Sequence, residues 1–128
     1  MIVIDASLVI DLFIDPVGTR STRDRLLTAA LHAPEIIDLE VLHVFRRLVL
    51  RAELTLDHAE AALREYRNFT LRRYSHLPLM NRIWQIRQNI SAYDAAYVAL
   101  AESLDVPLLT RDARLANAGG HTARIEVI

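Results

Sequence analysis

At 128 residues, with a formal charge of −1 and 52% apolar residues, the chain is sized for one domain, spanning 1–128, that buries roughly two-thirds of its unfolded surface. It has no cysteine and its 15 basic residues are all arginine, which excludes disulfides, thiolate nucleophiles, Cys-ligated zinc, a P-loop and lysine Schiff-base chemistry, and fits a cytoplasmic protein. The near-zero charge argues against nucleic-acid binding by bulk charge, no apolar run reaches the roughly 18 residues of a membrane span, and no basic leader precedes the first apolar stretch, so no signal peptide is expected.

Ile2-Val3-Ile4 is a β-branched run without alternation, which suits a strand buried on both faces. Asp5 falls where that strand would end, with the Ser7 hydroxyl two residues on. Leu8 to Ile14 reads as a short apolar helix closed by the Asp15-Pro16-Val17-Gly18 loop. Ser21 followed by Asp24 has capping spacing, and a helix is expected from there to about His32. Ala33-Pro34 breaks it, and Glu35-Ile36-Ile37 is expected as the second strand. Asp38 would cap a helix to about Ala52 that buries Val41, Leu42, Phe45, Leu48, Val49 and Ala52. Glu40 lies off that face, with Val44 and Arg47 along its side.

Thr55 caps the next expected helix, Leu56 to about Phe69, and Thr70–Tyr74 is open between strand and loop. A helix is expected from Pro78 to about Gln88, with proline at its first position. Ser91 caps another from Ala92 to Leu104, apolar nearly all round and therefore buried. Val106–Thr110 reads as a strand, Ala113–Ala118 as a short helix ended by Gly119-Gly120, and Arg124–Ile128 as a last strand. Strands alternating with helices define an α/β fold with a mostly parallel sheet.

Three further acids stand out. Asp94 sits on the apolar helix, where a charge is expensive unless compensated; its place in the first turn, with the helix dipole, offers one compensation. Asp112 follows a strand end and Thr110, repeating the arrangement at Asp5 and Ser7. Glu40 stands in the first turn of its helix. Each has an ordinary explanation as a cap, a dipole partner or an ion pair with arginine. Jointly, Asp5, Glu40, Asp94 and Asp112 occupy strand ends and helix starts, which one edge of a parallel sheet collects. Two carboxylates at 4 Å repel by about 4 kcal/mol at an effective dielectric of 20. Such a cluster takes up protons or holds cations, and hard oxygen donors favour Mg²⁺ or Mn²⁺.

Four segments carry a family resemblance: Ile2-Val3-Ile4-Asp5-Ala6-Ser7, the stretch Leu39 to Arg47, Ile90 to Ala101 with its Ser91-Ala92-Tyr93-Asp94-Ala95-Ala96-Tyr97 core, and Pro107 to Asp112. In order, spacing and total length the chain resembles the PIN-domain ribonucleases, specifically the VapC toxins of toxin–antitoxin pairs. The resemblance implies a three-layer α/β/α domain with about five strands and acids at Asp5, Glu40, Asp94 and Asp112. Ser7 and Thr110 would support them. It implies Mg²⁺ or Mn²⁺ held chiefly by Asp5 and Asp94, with Glu40 and Asp112 acting directly or through water. It also implies cleavage of single-stranded or looped RNA, a homodimer and a cognate antitoxin that neutralises the toxin. A metal-activated water as nucleophile would leave a 3′-hydroxyl and a 5′-phosphate.

Six arginines lie between Arg64 and Arg87 against one acid, Glu65. Of these Arg72, Arg73, Arg82 and Arg87 are candidates for RNA phosphates. Tyr74 and Trp84 lie among them as stacking candidates, although a tryptophan such as Trp84 is more often core. Competing readings fare worse. A phosphoaspartate receiver would want a lysine, and a phosphatase using Asp5 would want an acid where Ser7 stands. A di-iron bundle needs the Glu-x-x-His spacing of Glu40 and His43 twice. A non-cleaving RNA- or partner-binding module remains the alternative to a nuclease.

Overall fold

The computed structural model describes residues 1–128. Its elements run β1 (Ile2–Ile4), α1 (Ala6–Ile14), α2 (Arg20–Leu26), β2 (Leu31–Pro34), α3 (Ile37–Leu50), α4 (Leu56–Arg67) and β3 (Arg72–Tyr74). A 3₁₀ turn at Leu77–Leu79 leads into α5 (Met80–Gln85), followed by α6 (Ala92–Leu104), β4 (Leu108–Thr110), α7 (Ala113–Asn117) and β5 (Ile125–Val127).

The five strands form one sheet in the order β3-β2-β1-β4-β5, and every pairing is parallel. The central strands are sealed on both faces: Val3, Ile4, Leu108 and Leu109 have no exposure, as the unbroken apolar runs require. Helices α1, α3 and α4 pack on one another, and α5 packs on α6. Because parallel crossovers are right-handed, the run β1-β2-β3 and the return to β4-β5 put these groups on opposite faces, giving the α/β/α layering. The strand order reverses between β1 and β4, and the crevice outside their carboxyl ends is where such sheets take ligands.

Several boundaries differ from the expectations above. Helix α2 stops at Leu26, and β2 is Leu31–Pro34 rather than Glu35–Ile37. The helix formers between Leu27 and Leu31 lose to pairing: Ile2 faces Leu31 and Val3 faces His32 across the β1–β2 ladder. Ser21 is not a cap; it lies inside α2, whose N-cap is Thr19. Asp38 is not a cap either, because α3 begins one residue earlier. Its carboxylate instead accepts from the Tyr66 hydroxyl at 2.6 Å and from Arg73 Nε at 2.8 Å. Leu42 points outward, 49% exposed, so the buried stripe of α3 is Ile37, Val41 and Phe45. The segment from Pro78 is a 3₁₀ turn plus a six-residue helix, and Trp84 is 67% exposed rather than core.

Candidate active site

Asp5 leaves β1 and caps α1, its Oδ1 accepting from the Leu8 N–H at 3.1 Å. The same oxygen accepts from Ser7 Oγ at 2.7 Å, and Oδ2 accepts from Thr110 Oγ1. Both hydroxyls are themselves acceptors. The Arg111 N–H donates to Ser7 Oγ at 3.2 Å and the Asp112 N–H donates to Thr110 Oγ1 at 2.9 Å. Each hydroxyl thus passes a backbone donor of the β4–α7 loop on to Asp5 and spends its proton there. Asp5 is 6% exposed and Thr110 fully buried. Burial pushes the Asp5 carboxyl above its ordinary value against the pull of these donors, and the charge of Asp94 adds to the rise.

Glu40, one turn into α3, accepts from the Tyr97 hydroxyl of α6 at 2.8 Å. This bond ties the two helical layers together across the mouth of the crevice. Burial raises the Glu40 carboxyl, the Tyr97 hydrogen bond opposes it, and Asp94 and Asp5 raise it further. Tyr97 is 1% exposed as a residue, and its hydroxyl is pushed upward by burial and by Glu40, so it stays a donor. Asp94 lies in the first turn of α6, its N–H held by Ser91 Oγ at 3.2 Å.

Asp5, Glu40, Asp94 and Asp112 line one cleft of about 380 Å³, with Ser7 and Tyr97 beside them. The four acids come from two central strand ends and from both helical layers, as the joint reading expects. Asp112 is partly engaged: it caps α7, accepts from the Arg114 N–H at 2.9 Å and pairs with Arg114 Nη2 at 2.8 Å. The Arg114 hydrogen bonds and charge hold its carboxyl below the usual range. No three acidic or histidine side chains close on a common point as they stand. The donor set nevertheless fits a hard divalent cation, being all carboxylate oxygens. Asp94 repels Asp5, and Asp94 and Asp5 both repel Glu40, a strain that a bound cation would relieve.

None of the four arginines that are candidates for RNA phosphates lines this cleft. Arg73 is held by Asp38, and Arg82 by Glu102 at 3.0 Å and the Gly120 carbonyl. Arg72 lies over the Tyr74 ring and Arg87 over the Trp84 ring. The cleft's own cations are Arg47 and Arg111, and Asp11 is a fifth acid in its wall. Tyr97 as the partner of Glu40 was not read from the sequence. Its only signal is the three-residue spacing from Asp94, which puts both on one face of α6.

This parallel sheet with its acidic crevice at the strand reversal is the arrangement of a PIN domain, and the PIN family model matches residues 2–120. Ribonuclease VapC1 of Mycobacterium tuberculosis is 41% identical over 128 residues, covering 98% of this chain and 96% of that one. Ribonuclease VapC9 of the same species is 38% identical, covering 100% and 98%. The chain therefore belongs to the PIN-domain family and, within it, to the VapC ribonucleases. Solved structures agree on the fold. The crystal structure of M. tuberculosis VapC20, a Sarcin-Ricin loop cleaving toxin, superposes with a TM-score of 0.66 at 17% identity, covering 95% of this chain and 97% of that one. VapBC2 from Rickettsia felis, bound to a DNA fragment from its promoter, gives 0.66 at 12% identity, with 99% and 98% covered.

Proposed function

We propose that this single domain is the endoribonuclease toxin of a toxin–antitoxin pair, hydrolysing RNA in the cytoplasm with Mg²⁺ or Mn²⁺ at the acidic cleft. The observation that carries the reading is the convergence of Asp5, Glu40, Asp94 and Asp112 on one cleft from four separate elements. Asp5 and Asp94 are the principal cation ligands in this account, with Glu40 and Asp112 completing the set directly or through water. A bound divalent ion would supply charge neutralisation at the acids and acidify a water at the scissile phosphate.

The protein's own groups do the rest. Ser7 and Thr110 hold the Asp5 carboxylate by donating to both its oxygens, so its free lone pairs keep one direction. Tyr97 holds Glu40 through one oxygen, Oε1. Asp112 joins the set once its pair with Arg114 opens; that side chain is 88% exposed and costs little to move. A cognate antitoxin and a homodimer are part of the proposal, supported by the family rather than by any contact of this chain. No helix of the fold is long and apolar enough to cross a membrane.

The Arg114–Asp112 pair also favours a second reading, a PIN-like module that grips RNA or a partner without cutting. One assay separates the two: cleavage of a labelled unstructured RNA with Mg²⁺ or Mn²⁺, against EDTA and against Asp5→Ala and Asp94→Ala. The nuclease predicts cation-dependent products, lost by 100-fold or more in either variant. Cleavage persisting in both variants would overturn the assigned site, and intact RNA throughout would favour the binding module.

A further inference from the structure

Which group holds the RNA beside the acids is open once Arg72, Arg73, Arg82 and Arg87 are found outside the cleft. Two cations line it, and they differ in what already occupies them. Arg111 pairs with Asp11 at 3.0 Å and donates to the Ile128 carbonyl at 3.1 Å. The Arg47 guanidinium has no carboxylate within 4 Å and makes no side-chain hydrogen bond, and its side chain is exposed. A guanidinium that lines an acidic cleft without pairing with its acids keeps its five donors for an incoming anion.

Position gives that anion an identity. Glu40 and Arg47 are seven residues apart on α3, two turns on one face, or about 10 Å along the helix axis. Val44 lies between them in the same wall. The wall that α3 gives the cleft therefore has an acid at one end, suited to a cation and the scissile phosphate, and an unpaired cation two turns along.

We infer that Arg47 binds a backbone phosphate flanking the scissile one and sets the path of the RNA strand along α3. This rests on the ribonuclease reading and adds to it a residue and a direction. A contact to a non-reacting phosphate serves ground state and transition state alike, so it lowers KM and leaves kcat unchanged. It is also electrostatic, and each phosphate contact on a single strand steepens the dependence of log affinity on log salt by about 0.7.

The test compares wild type with Arg47→Gln, Arg47→Lys and Arg46→Gln, the last removing the same charge from the neighbouring position outside the cleft. A fluorescein-labelled unstructured 12-nucleotide RNA serves for cleavage kinetics in Mg²⁺ and for anisotropy in EDTA, each across a KCl series. Arg47→Gln is expected to raise KM and the anisotropy Kd by about tenfold, keep kcat within twofold and flatten the salt slope by about 0.7. Arg47→Lys should retain the slope and lose part of the affinity, because lysine keeps the charge without the planar fork. Arg46→Gln should change neither. Equal effects of Arg46→Gln and Arg47→Gln, or a fall in kcat at constant KM, would overturn the assignment. Wild-type protein that binds the RNA in an Arg47-dependent way without cutting it would overturn the nuclease reading and leave Arg47 as the phosphate contact.

Discussion

Asp5 accepts three hydrogen bonds from within its own neighbourhood, and the partners are not equivalent. Leu8 donates through the backbone and Ser7 stands in the cleft wall, but Thr110 is fully buried. Its hydroxyl is the link between the Asp112 N–H and the Asp5 carboxylate. Replacing it with the isosteric valine leaves the half-buried Asp112 N–H and a buried carboxylate oxygen without a partner, which costs about 1–3 kcal/mol. Thr110→Val should lower the urea midpoint accordingly, whereas Thr110→Ser should recover most of the loss. A midpoint unchanged by the valine would mean that the Thr110 bond contributes nothing net. The identity of Asp5 and Asp94 was legible in the sequence because a charge amid apolar runs needs a reason. Tyr97 was not, because its hydroxyl reaches Glu40 57 positions away, a distance set only by the packing of α6 against α3.

Strand β2 shows how far propensity carries and where it stops. The stretch up to His32 reads as helix by composition, yet Leu31–Pro34 pairs with strands on both sides and is buried at every residue. Long-range pairing overrides local preference there. By contrast, Ser91 and Thr55 were readable as caps, and each accepts from the backbone N–H three residues on. The cost of β2's position falls on His32, 4% exposed between β1 and β3. Its Nδ1 shares a 2.7 Å hydrogen bond with the Tyr74 hydroxyl, and its Nε2 has no partner. Burial lowers its pKa, and the charges of Arg72 and the N-terminal amine lower it further. A histidine depressed below its unfolded value of about 6.5 binds fewer protons folded than unfolded. Its neutral form therefore supports the fold fully above about pH 6.5, and that support is lost as the pH falls below it. Thermal midpoints between pH 7.5 and pH 5 should drop more for wild type than for His32→Gln; parallel curves would refute this.

At the scale of the whole molecule, function follows from one topological fact, the reversal of strand order between β1 and β4. The reversal opens the crevice, the strands deliver Asp5 and Asp112 to its floor, and the helical layers bring Glu40 and Asp94 from either side. Alternating strands and helices made the parallel sheet legible, and strand-end acids made the acidic lining of its crevice legible. The arginine contacts were not, because pairing is tertiary: Asp38 takes Arg73 from 35 positions away and Glu102 takes Arg82 from 20. The most direct measurement is a titration of Mg²⁺ and Mn²⁺ against the thermal midpoint of wild type, Asp5→Asn and Asp94→Asn. An ion bound only by the folded cleft stabilises it by about 2.7 kcal/mol at a concentration 100 times its Kd. Wild type should show that saturable rise and both variants should lose it; no rise, or an equal rise in all three proteins, would contradict a cation held among these carboxylates.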